Sequence, residues 1–401
     1  MTKRYFIGLS SGNSQFGVDA ALVRADGVGS SMRFELEHSH FLPYGPELRD
    51  LLLRVTRRTA PELRYLGTLH RVLGETYALA VKPLFAKNRL IAQQVLCIGC
   101  SGQSIWHDPD SRYPATLDLG MAGVLAERTG LTTLAGFADR DFAVGGQGAP
   151  LTALADAMNF HRPDEARLHL RLGNHATAVW IPKEIYNVIG FEAAPCTSLL
   201  DAVMRAITNG REPYDVGGKH AVQGRRLDPL LDRWMRNHFL QVRPPKCVPR
   251  GEFGDEFVQR AIDQGKRLGG SPQDVLCTMT HFVAQAIVHA VRTWLPTTPT
   301  RIVLSGRGVR NGFLRRLLEE ALAPIPLETT DVHGIPAEAC KATAYAGLAA
   351  LSLDGVPINL PSVTGSSGQR LLGQWTPGSS ENWARCLAWM SRQHASVQIA
   401  A

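Results

Sequence analysis

The sequence has no long run of apolar residues. No segment approaches the roughly 18 consecutive apolar residues that a membrane helix requires, and the first residues turn polar at Ser10, so they do not resemble a secretory signal. We therefore expect a cytoplasmic protein without a membrane partner. With 44% apolar and 20% charged residues in 401 positions, the chain has enough material for about two domains of ordinary size.

Cysteine is scarce and irregularly placed. The seven cysteines are scattered through a chain too long to need disulfides, and we expect them to be reduced thiols. Cys97 and Cys100 form a C-x-x-C, but no second pair accompanies them to complete a metal site. A redox motif would normally open a helix, whereas "IGCSGQS" is turn-like. We expect structural thiols here and no bound metal.

Positive charge is in excess but is not concentrated. The formal net charge is +7 and the pI is about 9.1, yet the basic residues lie in small clusters such as "VTRRTAPELR" and "FLRRLL". A nucleic-acid-binding surface would gather them into one patch or stripe. The sequence therefore does not favour nucleic acid as a partner.

A strand, polar turn and second strand open each half of the chain. The first copy is "YFIGLSSGNSQFGVDAALV" at 5–23, and the second is "ARLHLRLGNHATAVWIP" at 166–182. Two such halves predict a duplicated α/β chain with the two-domain actin-like ATPase (ribonuclease H-like) fold and an interdomain cleft. Backbone N–H groups in such turns can bind phosphate. We expect one domain at 1–165 plus 336–401 and the other at 166–335.

Several blocks resemble a specific family. They include "IGCSGQSIWH", "LAERTGLTTLAGFADRDFAVGGQGAPL", "RPPKCVPRGEFG" and "NLPSVTG". In these blocks the chain resembles the bacterial anhydro-N-acetylmuramic acid kinases over nearly its whole length. The resemblance implies a homodimeric carbohydrate kinase that uses ATP and Mg²⁺ in peptidoglycan recycling. Such an enzyme opens the 1,6-anhydro ring of an amino sugar with water and phosphorylates O6.

The resemblance also implies site residues. Glu192 stands where the family has the aspartate that activates water, and Lys246 and Arg250 match a further family block. The implied nucleotide-binding residues are Gly12, Asn13, Ser14, Gly17, Gly173, Asn174, Gly306, Arg307 and Gly308. The implied substrate-binding residues are Gln103, Arg140, Asp141, Gln147 and Lys341.

The departures from the family pattern leave two functions open. Phe16 replaces an aspartate near the metal and phosphates, and an apolar ring cannot hold hydrated Mg²⁺. Glu192 carries one methylene more than the family's aspartate, and a shift of about 1 Å in a reacting group can cost on the order of 100-fold in rate. Lys341 reverses the charge of a glutamate. Other family positions hold Asn174, His175, Ala194, Cys196 and Arg307 instead. The chain is either an active kinase or a catalytically silent paralogue that binds sugar or regulates.

Overall fold

The computed structural model describes residues 3–12, 16–56, 61–85, 93–249 and 251–398. The chain divides into two compact units, one formed by Met1–Asn159 with Ala339–Ala401 and the other by Phe160–Glu338. The strands of the first unit are β1 (Arg4–Ser10), β2 (Gly17–Asp26), β3 (Arg33–Pro43), β4 (Val95–Cys100), β5 (Gln103–Asp108), β6 (Ala115–Leu119) and β7 (Thr132–Ala135). Those of the second unit are β8 (Arg167–Leu172), β9 (His175–Ile181), β10 (Ile189–Pro195), β11 (Arg301–Ser305) and β12 (Leu327–Thr329), and the first unit then adds β13 (Gln374–Thr376).

The two main sheets share one strand order. The first runs β13-β7-β4-β1-β2-β3, with β1, β2 and β3 antiparallel and β4 and β7 parallel to β1. The second runs β10-β9-β8-β11-β12, with β8, β9 and β10 antiparallel and β11 and β12 parallel to β8. Each unit thus contains a three-stranded meander followed by two parallel strands. This repeated topology confirms the predicted actin-like, ribonuclease H-like α/β fold.

The helices cover the sheets. In the first unit they span Pro46–Thr56, Leu63–Val81, Ala122–Thr129, Asp139–Phe142, Cys340–Leu353, Pro361–Thr364 and Ser380–Gln398, with Ala153–Phe160 at the junction. In the second unit they span Thr197–Ile207, Asp228–Met235, His238–Gln241, Asp255–Arg267, Pro272–Trp294 and Gly312–Leu322. Asn311 caps the last of these, because its side chain accepts a hydrogen bond from the Leu314 N–H.

Every residue of β1 is buried, which marks it as the central strand of its sheet. The helix Cys340–Leu353 lies so close to this strand that a Cβ added at Gly8 would come 1.8 Å from the Ala342 carbonyl oxygen. Gly99 on β4 is similarly close to the Tyr345 carbonyl. Glycine on both strands therefore allows this helix to pack directly on the sheet.

One helix, Pro272–Trp294, is long and apolar enough to cross a membrane by length and composition alone. In the structure 78% of its apolar window is buried, and it packs in the core of the second unit. A capping box between Ser271 and Asp274 begins it, with Pro272 in the first turn. It is a core helix of a globular unit.

All seven cysteines lie among the described residues, where they are buried and form no disulfide. Cys97 and Cys100 are three positions apart on β4, so their side chains point to opposite faces of the strand. Each joins a different hydrophobic cluster. Burial raises the pKa of Cys100 to about 12, so this thiol stays protonated at neutral pH. The C-x-x-C motif is structural.

Candidate functional site

The turn between β1 and β2 is built on Gly12. Its φ of 54° lies in the left-handed region, which favours glycine. The Gly12 carbonyl accepts a hydrogen bond from the Ser104 N–H at 2.7 Å. Ser11 donates its hydroxyl to the Gly102 carbonyl and lies 2.7 Å from the Tyr77 hydroxyl. Two further predicted residues, Asn13 and Ser14, lie outside the described residues.

Phe16 and Gly17 close this turn. The Phe16 carbonyl accepts a hydrogen bond from the Tyr44 N–H, and the Arg49 guanidinium lies 5.9 Å from the centre of the Phe16 ring. A Cβ at Gly17 would meet the Leu42 carbonyl and the Phe41 ring, so glycine is needed there for packing against β3. The described residues of the turn, 11, 12, 16 and 17, bring no carboxylate to it. This part of the turn does not fit a directly bound Mg²⁺.

Lys341 reaches the same turn from the helix Cys340–Leu353. Its Nζ lies 2.9 Å from the position that a Cβ would take at Gly12. Its positive charge also acts on Asp118 of β6. Burial raises the pKa of Asp118 to about 6, and a hydrogen bond to Ser104 and the Lys341 charge oppose this rise. The reversed charge at position 341 therefore places an ammonium group beside the first turn.

Gln103 lies in the same region of the first unit. It is buried, forms a bridge with Gly12, and its Oε1 accepts a hydrogen bond from the Tyr44 hydroxyl at 3.2 Å. Burial raises the pKa of Tyr44 above its ordinary value, so this hydroxyl keeps its proton and can donate. The structure thus brings Gln103, Lys341 and Gly12 together.

Asp141 is completely buried. One of its oxygens accepts hydrogen bonds from Asn359 and Thr364, both at 2.8 Å, and the other accepts one from the Gly148 N–H at 2.8 Å. Its carboxylate therefore fixes the shape of the Gly146–Gly148 turn. The role of Asp141 as a direct sugar ligand stays a prediction.

Arg140 and Gln147 flank this buried carboxylate in the sequence. Arg140 is exposed and donates to the Leu371 carbonyl at 2.8 Å. The Gln147 N–H donates to the Thr364 carbonyl, while its side-chain Oε1 is buried with no protein partner among the described residues. A buried acceptor of this kind calls for a donor. Gln147 is thus suited to receive a hydroxyl or amide hydrogen of a ligand.

In the second unit, Glu192 lies on β10 with its carboxylate held in place. Its Oε2 accepts a hydrogen bond from the Val248 N–H at 2.7 Å and lies 2.9 Å from His175 Nδ1. The Glu192 N–H donates to the Lys246 carbonyl at 3.0 Å. The β9–β10 register is irregular between Glu192 and Ala194. The carboxylate is 15% exposed, so it is covered but reachable.

The turn between β8 and β9 tolerates its substituted glycine. Among the described residues other than glycine, Asn209 is the one with positive φ, so Asn174, Ala194 and Cys196 do not adopt the left-handed conformation that favours glycine. The Asn174 carbonyl accepts hydrogen bonds from the Cys196 N–H and the Ser198 hydroxyl. The Gly173 carbonyl accepts from the Thr197 N–H and hydroxyl. The turn is therefore tied to the start of the helix Thr197–Ile207.

Gly306 and Gly308 follow β11 and pack on the same turn. A Cβ at either position would come within 2.8 Å of the Leu172 carbonyl oxygen, and Gly306 has a φ of 85°. Arg307 between them is half-buried. The structure thus brings the predicted nucleotide residues of this unit, Gly173, Asn174, Gly306, Arg307 and Gly308, into one neighbourhood.

Lys246 is turned into the core of the second unit. Its ammonium donates to the Phe239 carbonyl at 3.0 Å and lies 4.4 Å from the centre of the Phe239 ring. Burial lowers its pKa to about 8. Lys246 contacts Glu192 through its backbone carbonyl, which accepts the Glu192 N–H, and its ammonium group points elsewhere. Arg250, its predicted companion, lies outside the described residues.

The comparisons with known proteins agree with one another. A profile of the anhydro-N-acetylmuramic acid kinase family matches residues 4–378. An anhydro-N-acetylmuramic acid kinase of Trichormus variabilis is 34% identical over 379 residues, covering 92% of this chain and 96% of the relative. That of Acaryochloris marina is 33% identical over 377 residues, covering 92% and 99%. The chain belongs to the anhydro-N-acetylmuramic acid kinase family.

Solved structures align with this family member more distantly. The activator of the 2-hydroxyisocaproyl-CoA dehydratase from Clostridium difficile with bound ADPNP covers 86% of this chain and 94% of that chain, at 14% identity and a TM-score of 0.41. A ROK family glucokinase from Streptomyces griseus in complex with glucose and AMPPNP covers 86% and 98%, at 11% identity and a TM-score of 0.37. These TM-scores are too low to inform the site of this anhydro-N-acetylmuramic acid kinase relative.

Two features of this family member were missed by the sequence analysis. Asp118 was not singled out, because one carboxylate on a short strand carries no spacing signal. His175 was noted only as a change from the family pattern, although its ring contacts Glu192. The changes at His175 and Glu192 were both visible in the sequence, but their contact depends on the β9–β10 pairing.

Proposed function

We propose that this chain is an ATP-dependent kinase that opens a 1,6-anhydro amino sugar with water and phosphorylates it, in peptidoglycan recycling. The observation that carries the proposal is the fixed carboxylate of Glu192, held by the Val248 N–H and by His175. A reacting group that is positioned before the substrate arrives is what such catalysis requires. The family's water-activating aspartate corresponds to this residue.

The reaction makes defined demands on the chain. The water oxygen bonds to C1, the C1–O6 bond breaks, and one proton of the water leaves. ATP, when bound, supplies the phosphoryl group that O6 receives. We assign removal of the proton to the pair formed by Glu192 and His175, whose side chains lie 2.9 Å apart. The carboxylate lies within hydrogen-bonding reach of donors already and can orient a water in the same way.

Binding of the phosphates and the sugar falls to the remaining groups. The Lys341 ammonium beside Gly12 supplies positive charge at the first turn. Phe16, in the same turn, is uncharged. Arg307 supplies a planar cation that can stack on a flat ring. Gln147 Oε1 offers an acceptor to a sugar hydroxyl or acetamido N–H. These residues fit ATP and an amino sugar, whereas the described part of the Gly12 turn offers Mg²⁺ no carboxylate.

A second function is favoured by one observation. Phe16 lies against Arg49 and its carbonyl accepts a hydrogen bond from the Tyr44 N–H, so the described end of the turn holds an aromatic residue where a metal would need an oxygen ligand. A chain that binds the sugar without turnover, as a sugar-binding or regulatory paralogue, would have the same feature. The two functions differ in whether product forms.

The test is product formation from 1,6-anhydro-N-acetylmuramic acid, ATP and Mg²⁺, followed by mass spectrometry. We expect the wild-type chain to form the 6-phosphate and Glu192→Gln to lose turnover by a factor of about 10²–10⁴, the usual range for a general acid–base group. The matched control is Glu256→Gln, whose side chain is 90% exposed and should leave the rate unchanged. Sugar binding by calorimetry without product in the wild type would establish the silent paralogue instead.

A further inference from the structure

Two departures from the family pattern lie in contact with each other. His175 begins β9 and Glu192 lies on β10, 17 positions later, and their side chains meet at 2.9 Å between Nδ1 and Oε2. The extra methylene of glutamate extends its carboxylate further from β10 than aspartate would. The two substituted residues are therefore in direct contact and form a pair.

The contact determines which ring nitrogen carries the proton. An ionised carboxylate can only accept hydrogen bonds, and Glu192 Oε2 already accepts one from the Val248 N–H. In the neutral imidazole the proton must then be on Nδ1, where it is donated to Oε2. The lone pair consequently resides on Nε2, which is the arrangement of a histidine oriented by a carboxylate to act as a base.

Backbone hydrogen bonds hold Glu192 and the residue that precedes His175. The Glu192 N–H donates to the Lys246 carbonyl, and the neighbouring Asn174 carbonyl accepts from the Cys196 N–H. The His175 side chain is 26% exposed and that of Glu192 15%, so the imidazole is the more accessible of the two. A ligand or water approaching the pair can reach the ring.

We propose that His175 is a catalytic residue whose Nε2 takes the proton from the attacking water, and that Glu192 is a positioning residue for it. This inference rests on the proposed kinase function and deepens it. The water oxygen forms its bond to C1 as the C1–O6 bond breaks, O6 receives the phosphoryl group, and the water proton moves to Nε2. The imidazolium later releases this proton to solvent, so that atoms and charge balance.

The decisive experiment is chemical rescue. His175→Ala removes the imidazole, and we expect its turnover to fall by a factor of about 10²–10⁴ and to be partly restored by added imidazole. His175→Gln keeps a side-chain N–H donor for Glu192 but has no basic nitrogen, so it should be as slow as His175→Ala. Full activity in His175→Gln, or a slow His175→Ala that imidazole does not restore, would overturn the assignment.

The chain offers a matched control pair. His220 and Glu212 also form a histidine–glutamate contact in the second unit, at 3.2 Å, with the His220 side chain 33% exposed. His220→Ala should retain the wild-type rate and show no response to imidazole. Turnover by the wild type together with a fully active His175→Ala would leave the kinase activity standing and remove His175 alone. A wild type without turnover would remove both.

A measurement that needs no substrate addresses the same point. Nitrogen-15 spectra of the histidine-labelled chain at pH 8 should show His175 protonated on Nδ1 and unprotonated on Nε2. Glu192→Gln should lose this tautomer preference, because an amide can also donate to Nδ1, while Glu212→Gln should leave the His175 signals unchanged. A wild-type His175 protonated on Nε2 would contradict the proposal, whatever the activity.

Discussion

Asp118 lies on β6 opposite Ser104 of β5. Burial raises its pKa to about 6, although the hydrogen bond to Ser104 and the charge of Lys341 both favour the ionised carboxylate. A carboxyl whose pKa is higher in the folded state contributes stability below its unfolded pKa and loses it as the pH rises through the folded value. Ionised Asp118 therefore lowers the free energy of unfolding above about pH 6.

Asp118→Asn should remove this cost. We expect the variant to exceed the wild type in free energy of unfolding by at most about 3 kcal/mol at pH 7.5, since one pKa unit corresponds to about 1.4 kcal/mol, and to show no gain near pH 3.5. Denaturant titrations at several pH values measure the difference. An equal gain at every pH would show that the effect is one of packing.

Single residues also show the limits of the sequence. The replacement of an acidic residue by Phe16 could be predicted from the family pattern to weaken metal binding, because an apolar ring has no oxygen ligand for Mg²⁺. The Glu192–His175 contact could not be predicted from the sequence, because a separation of 17 residues does not indicate that the two side chains meet across a pair of strands. Asn174 is one of the changed family positions, and its φ is not positive in the structure.

At the scale of elements, the helix Cys340–Leu353 depends on close approach to the central strand. A methyl group at Gly8 would come 1.8 Å from the Ala342 carbonyl oxygen. This oxygen belongs to the helix backbone, so no side-chain rotation can relieve the clash. We expect Gly8→Ala to destabilise the fold by about 3 kcal/mol or more, in the upper range for single substitutions. Thermal or denaturant unfolding would measure it.

The control for this change is Gly123→Ala. Gly123 lies in the helix Ala122–Thr129, has no atom within 4 Å of its added Cβ, and lacks a positive φ. Alanine should stabilise it by about 0.5–1 kcal/mol through helix propensity. A Gly8→Ala variant as stable as Gly123→Ala would mean that the helix can move away from β1.

Element prediction succeeded where a glycine-containing polar turn separates two apolar runs. Such turns mark the β1–β2 and β8–β9 hairpins. The β5–β6 hairpin was missed because "CSGQS" was interpreted as a turn, although Gln103–Asp108 is a strand. The buried helix Pro272–Trp294 was also passed over, since a helix that is apolar on most sides lacks a clear amphipathic period.

At the scale of the molecule, the two units have separate cores. The core of the second unit is composed of residues between 168 and 322. The first unit has two clusters: one is formed by residues between 5 and 131, and the other combines strand residues from the start of the chain with residues between 342 and 386. The repeated hairpins therefore predicted the duplication, because each half needs its own sheet. The order of the strands within each sheet could not be predicted from the sequence and was seen only in the structure.

We expect residues 160–338, expressed alone, to fold. Their core is complete within the segment, as an independent domain requires, so circular dichroism should show one cooperative thermal transition. Residues 1–159 alone should not, because they lack the helix that covers β1. A non-cooperative 160–338 segment would show that its stability comes from the rest of the chain.

A buried ion pair in the first unit joins β1 to the residue that follows the helix Cys340–Leu353. Arg4 and Asp354 lie 2.5 Å apart with side chains 3% and 0% exposed. During synthesis on the ribosome, Arg4 leaves the exit tunnel hundreds of residues before its partner does. The first unit is therefore the first to begin synthesis and the last to be complete. Its central sheet lacks the covering helix at a stage when residues 160–338 have already been synthesised. We therefore expect residues 160–338 to complete their fold before the first unit does, and the nascent first unit to expose apolar surface to chaperones in that interval.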